Sequence, residues 1–189
     1  MVAAYHGHTG CVKILAQKEA RMQDGRSHTA LMYAAEYGHI ECFKILVPLE
    51  NGIKKNDEMT ALMCAALRGH LAYVKILAPL EKGMKDNKGR TALMYAAKNG
   101  HLECVKALAP LEKGMKSRDG RTALCYTTYY SSTEECAQFL WWFPEERETI
   151  DLEKVRMKHG ITRISCEEGT CIGAGSLLNA AFLGCPQCV

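Results

Sequence analysis

The chain has 189 residues, 48% apolar and 24% charged, the balance of a folded protein rather than a disordered one. A net charge of +3 is too small to point to nucleic acid by itself, and no apolar run reaches the ~18–20 residues that a membrane helix needs. The segment from Met1 to His8 has no basic stretch followed by an apolar one, so it does not read as a secretory signal; the expectation is an intracellular protein, cytoplasmic in the first place, with the nucleus as the other compartment.

The first residues read as the inside of a helix. Ala3-Ala4 and Gly7-His8 align with Ala34-Ala35 and Gly38-His39, 31 positions on. Residues 1–28 are therefore a partial first unit without its helix start. Outer units of an array normally carry a polar cap, so either this is a fragment of a longer array or the first unit is frayed; the fragment is the preferred reading.

From Thr29 a 31-residue block recurs in register: Thr29-Ala30-Leu31-Met32-Tyr33-Ala34-Ala35, then the same pattern from Thr60, from Thr91 and, degenerate, from Thr122. A period of roughly 20–50 residues marks a solenoid of stacked units sharing one elongated core. In the unit from Thr91, the threonine can cap a helix with its hydroxyl, the residues from Ala92 to Asn99 form that helix, and Gly100 ends it in the left-handed region. Leu102, Val105 and Leu108 mark one face of a second helix. Gly114 and Asp119-Gly120 mark the return loop.

Pro48, Pro79 and Pro110 keep the same period near the end of the second helix. A proline deep in a helix costs about 3 kcal/mol, and three of them would rival a domain's stability of about 5–15 kcal/mol. The second helix is therefore expected to end or kink near each proline, with Leu-Glu-Lys-Gly as a turn. Cys11, Cys42 and Cys104 also follow the period, with Tyr73 in the same slot, which reads as packing rather than crosslinking. His8, His39, His70 and His101 form a row with units about 10 Å apart. That is too far to share a metal ion with bonds near ~2 Å, so they are expected to bridge neighbouring turns. Repeated carboxylates such as Glu41, Glu103 and Glu112 read as solvated faces or helix pairing.

The unit from Thr122 decays. Glu135-Cys136 still echoes Glu103-Cys104, while Trp141-Trp142-Phe143 are expected to pack on the fourth unit and Pro144 to stop the helix. Residues 144–189 read as a degenerate cap or irregular tail, with a charged surface helix to Lys158 and a short helix over 176–183. Cys166, Cys171, Cys185 and Cys188 are the one candidate zinc set, because zinc takes two close pairs of thiolates; incidental thiols are the preferred reading, and no cofactor is expected.

Asp86-Asn87-Lys88-Gly89-Arg90-Thr91-Ala92-Leu93, Ala96-Ala97, Gly100-His101 and Glu103-Cys104-Val105-Lys106 resemble the ankyrin repeat, D-x-x-G-x-T-P-L-H-x-A-A-x-x-G-H followed by an apolar helix. The wording is also similar to ankyrin arrays of protists, some of them fused to kinases. The resemblance covers residues 1–143 and implies an all-α, ankyrin-like solenoid of stacked antiparallel helix pairs. Ala30, Ala61, Ala92 and Ala123 replace the family proline, and Met32, Met63, Met94 and Cys125 its histidine, so apolar packing should replace the bond that histidine makes. The unit is two residues shorter than the family's, lost from the loop, so the hairpin fingers should be stunted.

The resemblance further implies a non-enzymatic protein-interaction scaffold or adaptor whose partners meet the loop tips and the exposed side of the first helix. On the loops these are Arg26, His28, Asp57, Met59, Lys88, Arg90, Asp119 and Arg121. On the first helices they are Glu36, Tyr37, Leu67, Arg68, Lys98, Asn99 and Tyr129. The loops at 84–90 and 115–121 each carry three cations against one carboxylate, which suits a protein partner with an acidic patch rather than nucleic acid or a membrane. Oligomeric state stays open. The other readings are a regulatory fragment of a larger kinase-type protein and an array carrying a C-terminal zinc module.

Overall fold

The computed structural model of the chain describes residues 1–127 and 134–147, and in the tail the backbone of 165–167 and 170–172. The first helices of successive units are α1 (Val2–Tyr5), α3 (Ala30–Tyr37), α5 (Ala61–Arg68), α7 (Ala92–Lys98) and α9 (Ala123–Thr127). The second helices are α2 (Thr9–Glu19), α4 (Ile40–Glu50), α6 (Leu71–Glu81), α8 (Leu102–Glu112) and α10 (Glu134–Trp141), followed by α11 (Pro144–Arg147). First helices pack on first helices and second on second, so the array is a two-layer helical solenoid.

The local chemistry follows the repeat. Thr29 and Thr60 lie in extended backbone, and their hydroxyls accept the N–H of Met32 at 3.3 Å and of Met63 at 3.5 Å. Thr91 keeps the same backbone without that bond. All four threonines are fully buried, as are the alanine pairs at 34–35, 65–66 and 96–97 that let neighbouring first helices approach closely. Met32, Met63, Met94 and Cys125 are buried apolar residues where the family carries histidine. From the second layer, Leu46, Leu77, Leu108 and Leu140 close the core.

The polar ties between units come from two rows. His39, His70 and His101 donate from Nε2 to the carbonyls of Tyr5, Glu36 and Leu67 in the preceding unit, at 2.9, 3.2 and 3.1 Å. These carbonyls are the unsatisfied ends of the first helices, so the histidines bridge neighbouring turns as expected.

Glu41 and Glu103 are exposed and pair with Lys44 and Lys106, as expected, but the second row departs from that pattern. Glu112 is 1% exposed, not solvated, and Glu50, Glu81 and Glu146 are buried beside it. One oxygen of each accepts the N–H of Leu31, Leu62, Leu93 or Leu124, at 2.8, 2.8, 2.8 and 3.0 Å, at the start of its own unit's first helix. The other accepts from the preceding unit: the N–H of Gly52, Gly83 and Gly114 for Glu81, Glu112 and Glu146, at 2.8, 2.9 and 2.7 Å. Burial pushes the carboxyls of Glu112 and Glu146 up, and the N–H groups they accept oppose it.

Three further expectations change. The second helices end two residues past Pro48, Pro79 and Pro110, near each proline as expected, but the Leu and Glu assigned to the turn are still helical and deliver the carboxylate. Cys11 is exposed whereas Cys42 and Cys104 are buried, because no unit packs over Cys11. Pro144 starts a helix rather than only stopping one, and its Glu146 lies beyond the array end drawn at 143 yet ties to Leu124 and Gly114. In the tail, β1 (Ser165–Glu167) and β2 (Thr170–Ile172) form a two-stranded antiparallel ladder that places Cys166 opposite Cys171, a small departure from an all-α chain. Of the charged helix expected over 145–158, residues 145–147 are helical within α11; the rest of it, the helix expected over 176–183, Cys185 and Cys188 lie outside the described residues.

Glu19 stands one period before Glu50 and is exposed. Glu81→Ala should therefore cost about 3 kcal/mol, leaving two buried N–H groups unpaired, and Glu19→Ala within about 0.5 kcal/mol, read as shifts in urea unfolding. Arg21 occupies the slot of Gly52, Gly83 and Gly114 and is held at φ 68°. Arg21→Gly is expected to raise stability by about 1 kcal/mol in the same assay, because only glycine adopts that backbone without a Cβ penalty.

Candidate functional site

The return loops fold into matching five-residue turns at 24–28, 55–59, 86–90 and 117–121. In each, the first N–H donates to the last carbonyl, at 3.1, 3.0, 3.0 and 2.9 Å, and the fourth N–H to the first carbonyl. The hairpin fingers are thus reduced to compact turns. The fourth position is left-handed throughout, filled by Ser27, Glu58, Gly89 and Gly120. A Cβ at Gly89 would come within 2.7 Å of the Arg118 backbone nitrogen, so that position admits no side chain.

Neighbouring turns are tied together. The N–H of Asn87 donates to the carbonyl of Asp57 and that of Arg118 to the carbonyl of Lys88, each at 2.9 Å. A row of long side chains repeats the tie: Gln23 Nε2 reaches the carbonyl of Lys54 at 2.7 Å, Lys54 Nζ that of Lys85 at 3.2 Å, and Lys85 Nζ that of Lys116 at 2.8 Å.

Asp24 and Asp86 organise their turns. Asp24 Oδ1 accepts the N–H of Arg26 and His28 at 2.8 and 2.9 Å, and Oδ2 accepts the Tyr33 hydroxyl at 2.6 Å. The Tyr33 hydroxyl first, then the His28 N–H, hold the Asp24 carboxyl down to about 2. Asp86 is buried, which pushes its carboxyl up, but the Arg90 N–H and guanidinium, the Tyr95 hydroxyl and the Lys88 N–H outweigh that and hold it low. Arg90 pairs with Asp86 at 2.7 Å and lies 4.8 Å over the Tyr95 ring.

These contacts sort the expected partner residues. Arg26, Lys88, Asp119 and Arg121 are exposed at the turn tips. Two loop positions are corrected. Met59 is 7% exposed and belongs to the core, and Arg90 is a half-buried strut whose charge is committed to Asp86. His28 is half-buried and stacks on Tyr33 at 5.1 Å; Asp57 Oδ1 accepts the N–H of Met59 at 3.2 Å. On the first helices, Glu36 and Arg68 form an ion pair across units. Leu67 is half-buried, as is Lys98, and Asn99 donates to the carbonyl of Tyr95 at 2.8 Å. Tyr37 is 45% exposed and Tyr129 lies outside the described residues.

Two features escaped the sequence reading. Tyr5, 40% exposed, packs against Tyr37 at 4.3 Å and Tyr33 at 5.8 Å, giving the first two units an aromatic patch. The signal was weak, because only two of these tyrosines lie in the same unit. The second is the row of Lys54, Lys85 and Lys116, whose 31-residue spacing is visible in the sequence although loop charge alone does not announce the ladder.

Stacked helix pairs joined by short turns, with glutamates tying the starts of α3, α5, α7 and α9 and histidines the ends of α1, α3 and α5, define the protein as a helix-pair solenoid. A family model for ankyrin repeats, in three copies, matches residues 1–85 and 79–145. The chain belongs to the ankyrin-repeat family, whose members are in general protein–protein interaction modules. No curated protein matches the sequence. Among the described residues, no helix is long and apolar enough to cross a membrane.

Tyr33→Phe should raise the Asp24 pKa from about 2 toward its ordinary 3.8, measured by carboxyl-carbon NMR titration. The folded value lies below the ordinary one, so this carboxylate adds stability above about pH 4 that is lost as pH falls toward 2. The variant should lose less over that range.

Proposed function

We propose that the chain is a non-enzymatic scaffold or adaptor that holds a protein partner, one with an acidic patch, against its turn tips and first helices. The observation that carries this reading is the locking of successive turns by the Asn87–Asp57 and Arg118–Lys88 backbone bonds, with Lys88, Arg118 and Asp119 left exposed at the tips. A surface already rigid before binding loses little entropy on docking. Tyr5 and Tyr37 add exposed aromatic area of the kind that anchors interfaces.

Among the described residues, the groups repeated from unit to unit are engaged in holding the stack. The buried glutamates are spent on backbone N–H groups and three of the histidines on backbone carbonyls. Burial pushes the Cys64 thiol up to about 12 and that of Cys104 to about 11, far from the thiolate a nucleophile needs. Free buried thiols suit a reducing compartment, so the reading places the module in the cytoplasm or nucleus.

The double variant Lys88→Glu/Arg118→Glu should reduce capture of the native partner from its own cell extract by about tenfold or more, with unchanged helical circular dichroism. An undiminished set of captured proteins would remove this face from the reading.

A further inference from the structure

Between the turns at 55–59, 86–90 and 117–121 lies an open groove of about 470 Å³, lined among others by Lys54, Lys85, Lys116, Arg118 and Glu58. Its cations are placed by the stack rather than left on flexible stems. Lys54 and Lys85 are each pinned to the carbonyl of the lysine in the next unit. That bond takes one of the three N–H donors of an ammonium, so the charge is fixed while donors remain. The carboxylate of Asp86, which also borders the groove, is neutralised by Arg90. Glu58 pairs with Lys54 at 3.2 Å, so an incoming carboxylate at Lys54 competes with Glu58 or shares that ammonium's remaining donor.

The spacing of these charges selects a ligand. Equivalent positions in neighbouring units lie about 10 Å apart, the distance between packed helices. An extended peptide in the polyproline II conformation advances about 3.1 Å per residue with three residues per turn, so three residues span about one unit and every third side chain returns to the same face. Nucleic acid is the poorer fit: it needs aromatic faces on which bases stack, and the tyrosine bordering this region, Tyr95, is buried.

We propose that this groove binds an extended acidic peptide segment of the partner, with a carboxylate at every third residue in register with Lys54, Lys85 and Lys116. This rests on the scaffold reading above and names the chemistry of its partner. Each carboxylate meets one unit's ammonium, so affinity depends on the spacing of the acidic residues and not on their number alone.

The test uses the full chain and two fluorescein-labelled ten-residue peptides of equal composition, read by anisotropy in 50 mM salt. One carries glutamate at positions 1, 4, 7 and 10; the other carries four contiguous glutamates. The spaced peptide should bind about fivefold tighter or more, and weaken as salt rises. The variant Lys54→Gln/Lys85→Gln/Lys116→Gln removes the charges yet retains the ladder, since Gln23 already makes the same bond to a carbonyl in its own slot. It should lose the preference and most of the binding, with an unchanged unfolding midpoint.

Equal affinity for the two peptides, no binding of either, undiminished binding by the glutamine variant, or equally tight binding of a labelled ten-nucleotide oligothymidine would each overturn the proposal. If the peptides fail while Lys88→Glu/Arg118→Glu still reduces partner capture, the register is wrong and the scaffold reading stands. If both fail, the scaffold reading falls with it.

Discussion

The carboxylates of Glu50, Glu81, Glu112 and Glu146 are enclosed by the stack, and the stack depends on how each is satisfied. Taking such a charge out of water costs several kcal/mol unless its lone pairs meet donors. Here one oxygen closes the open N-terminal end of the first helix in the same unit. The other takes an N–H from the unit before. A carboxylate of this kind is satisfied only when two neighbouring units are folded and in register. That makes it a source of coupling between units, in a fold whose stability is a sum of units and their interfaces.

The histidine row completes the arrangement from the other end. Each first helix leaves donors free at its start and acceptors free at its finish. Glutamate meets the donors and the next unit's histidine meets the acceptors, so the eight-residue helices α3 and α5 are held at both termini by polar bonds across the stack. Helices of this length are not stable alone. The ends of the helices govern the turns in turn: because the first helix is fixed, the preceding five-residue turn is fixed, and the exposed side chains on it present a defined pattern of charge.

Much of the fold was legible from local signals. The 31-residue period is visible as repeated wording; the threonine starts, the left-handed glycines and the apolar faces each concern residues close together in one unit, and each is found where the sequence places it. The substitution of methionine for the family histidine was equally readable, since an apolar side chain in that slot has only the core to enter. The glutamates were not. A Glu two residues past a proline near a helix end has the appearance of a solvated residue, and nothing in its own unit announces the N–H groups that reach it from 19 and 29 residues away. Glu146 was further hidden because Pro144 follows Pro110 by 34 residues instead of 31. Among the surface positions, Met59 and Arg90 followed the family pattern, but Met59 is drawn into the core and Arg90 to a buried aspartate.

The repeat wording by itself determined that this chain is a row of helix pairs, where each helix begins and which faces are apolar, because those properties rest on backbone propensities and on spacings within a single unit. Only the tertiary structure decided which charges are buried, which lysines are pinned at fixed intervals and which tyrosines meet at the surface. Those outcomes depend on partners about one period apart, and a side chain's charge or size does not say whether the neighbouring unit will bring a donor, an acceptor or water to meet it.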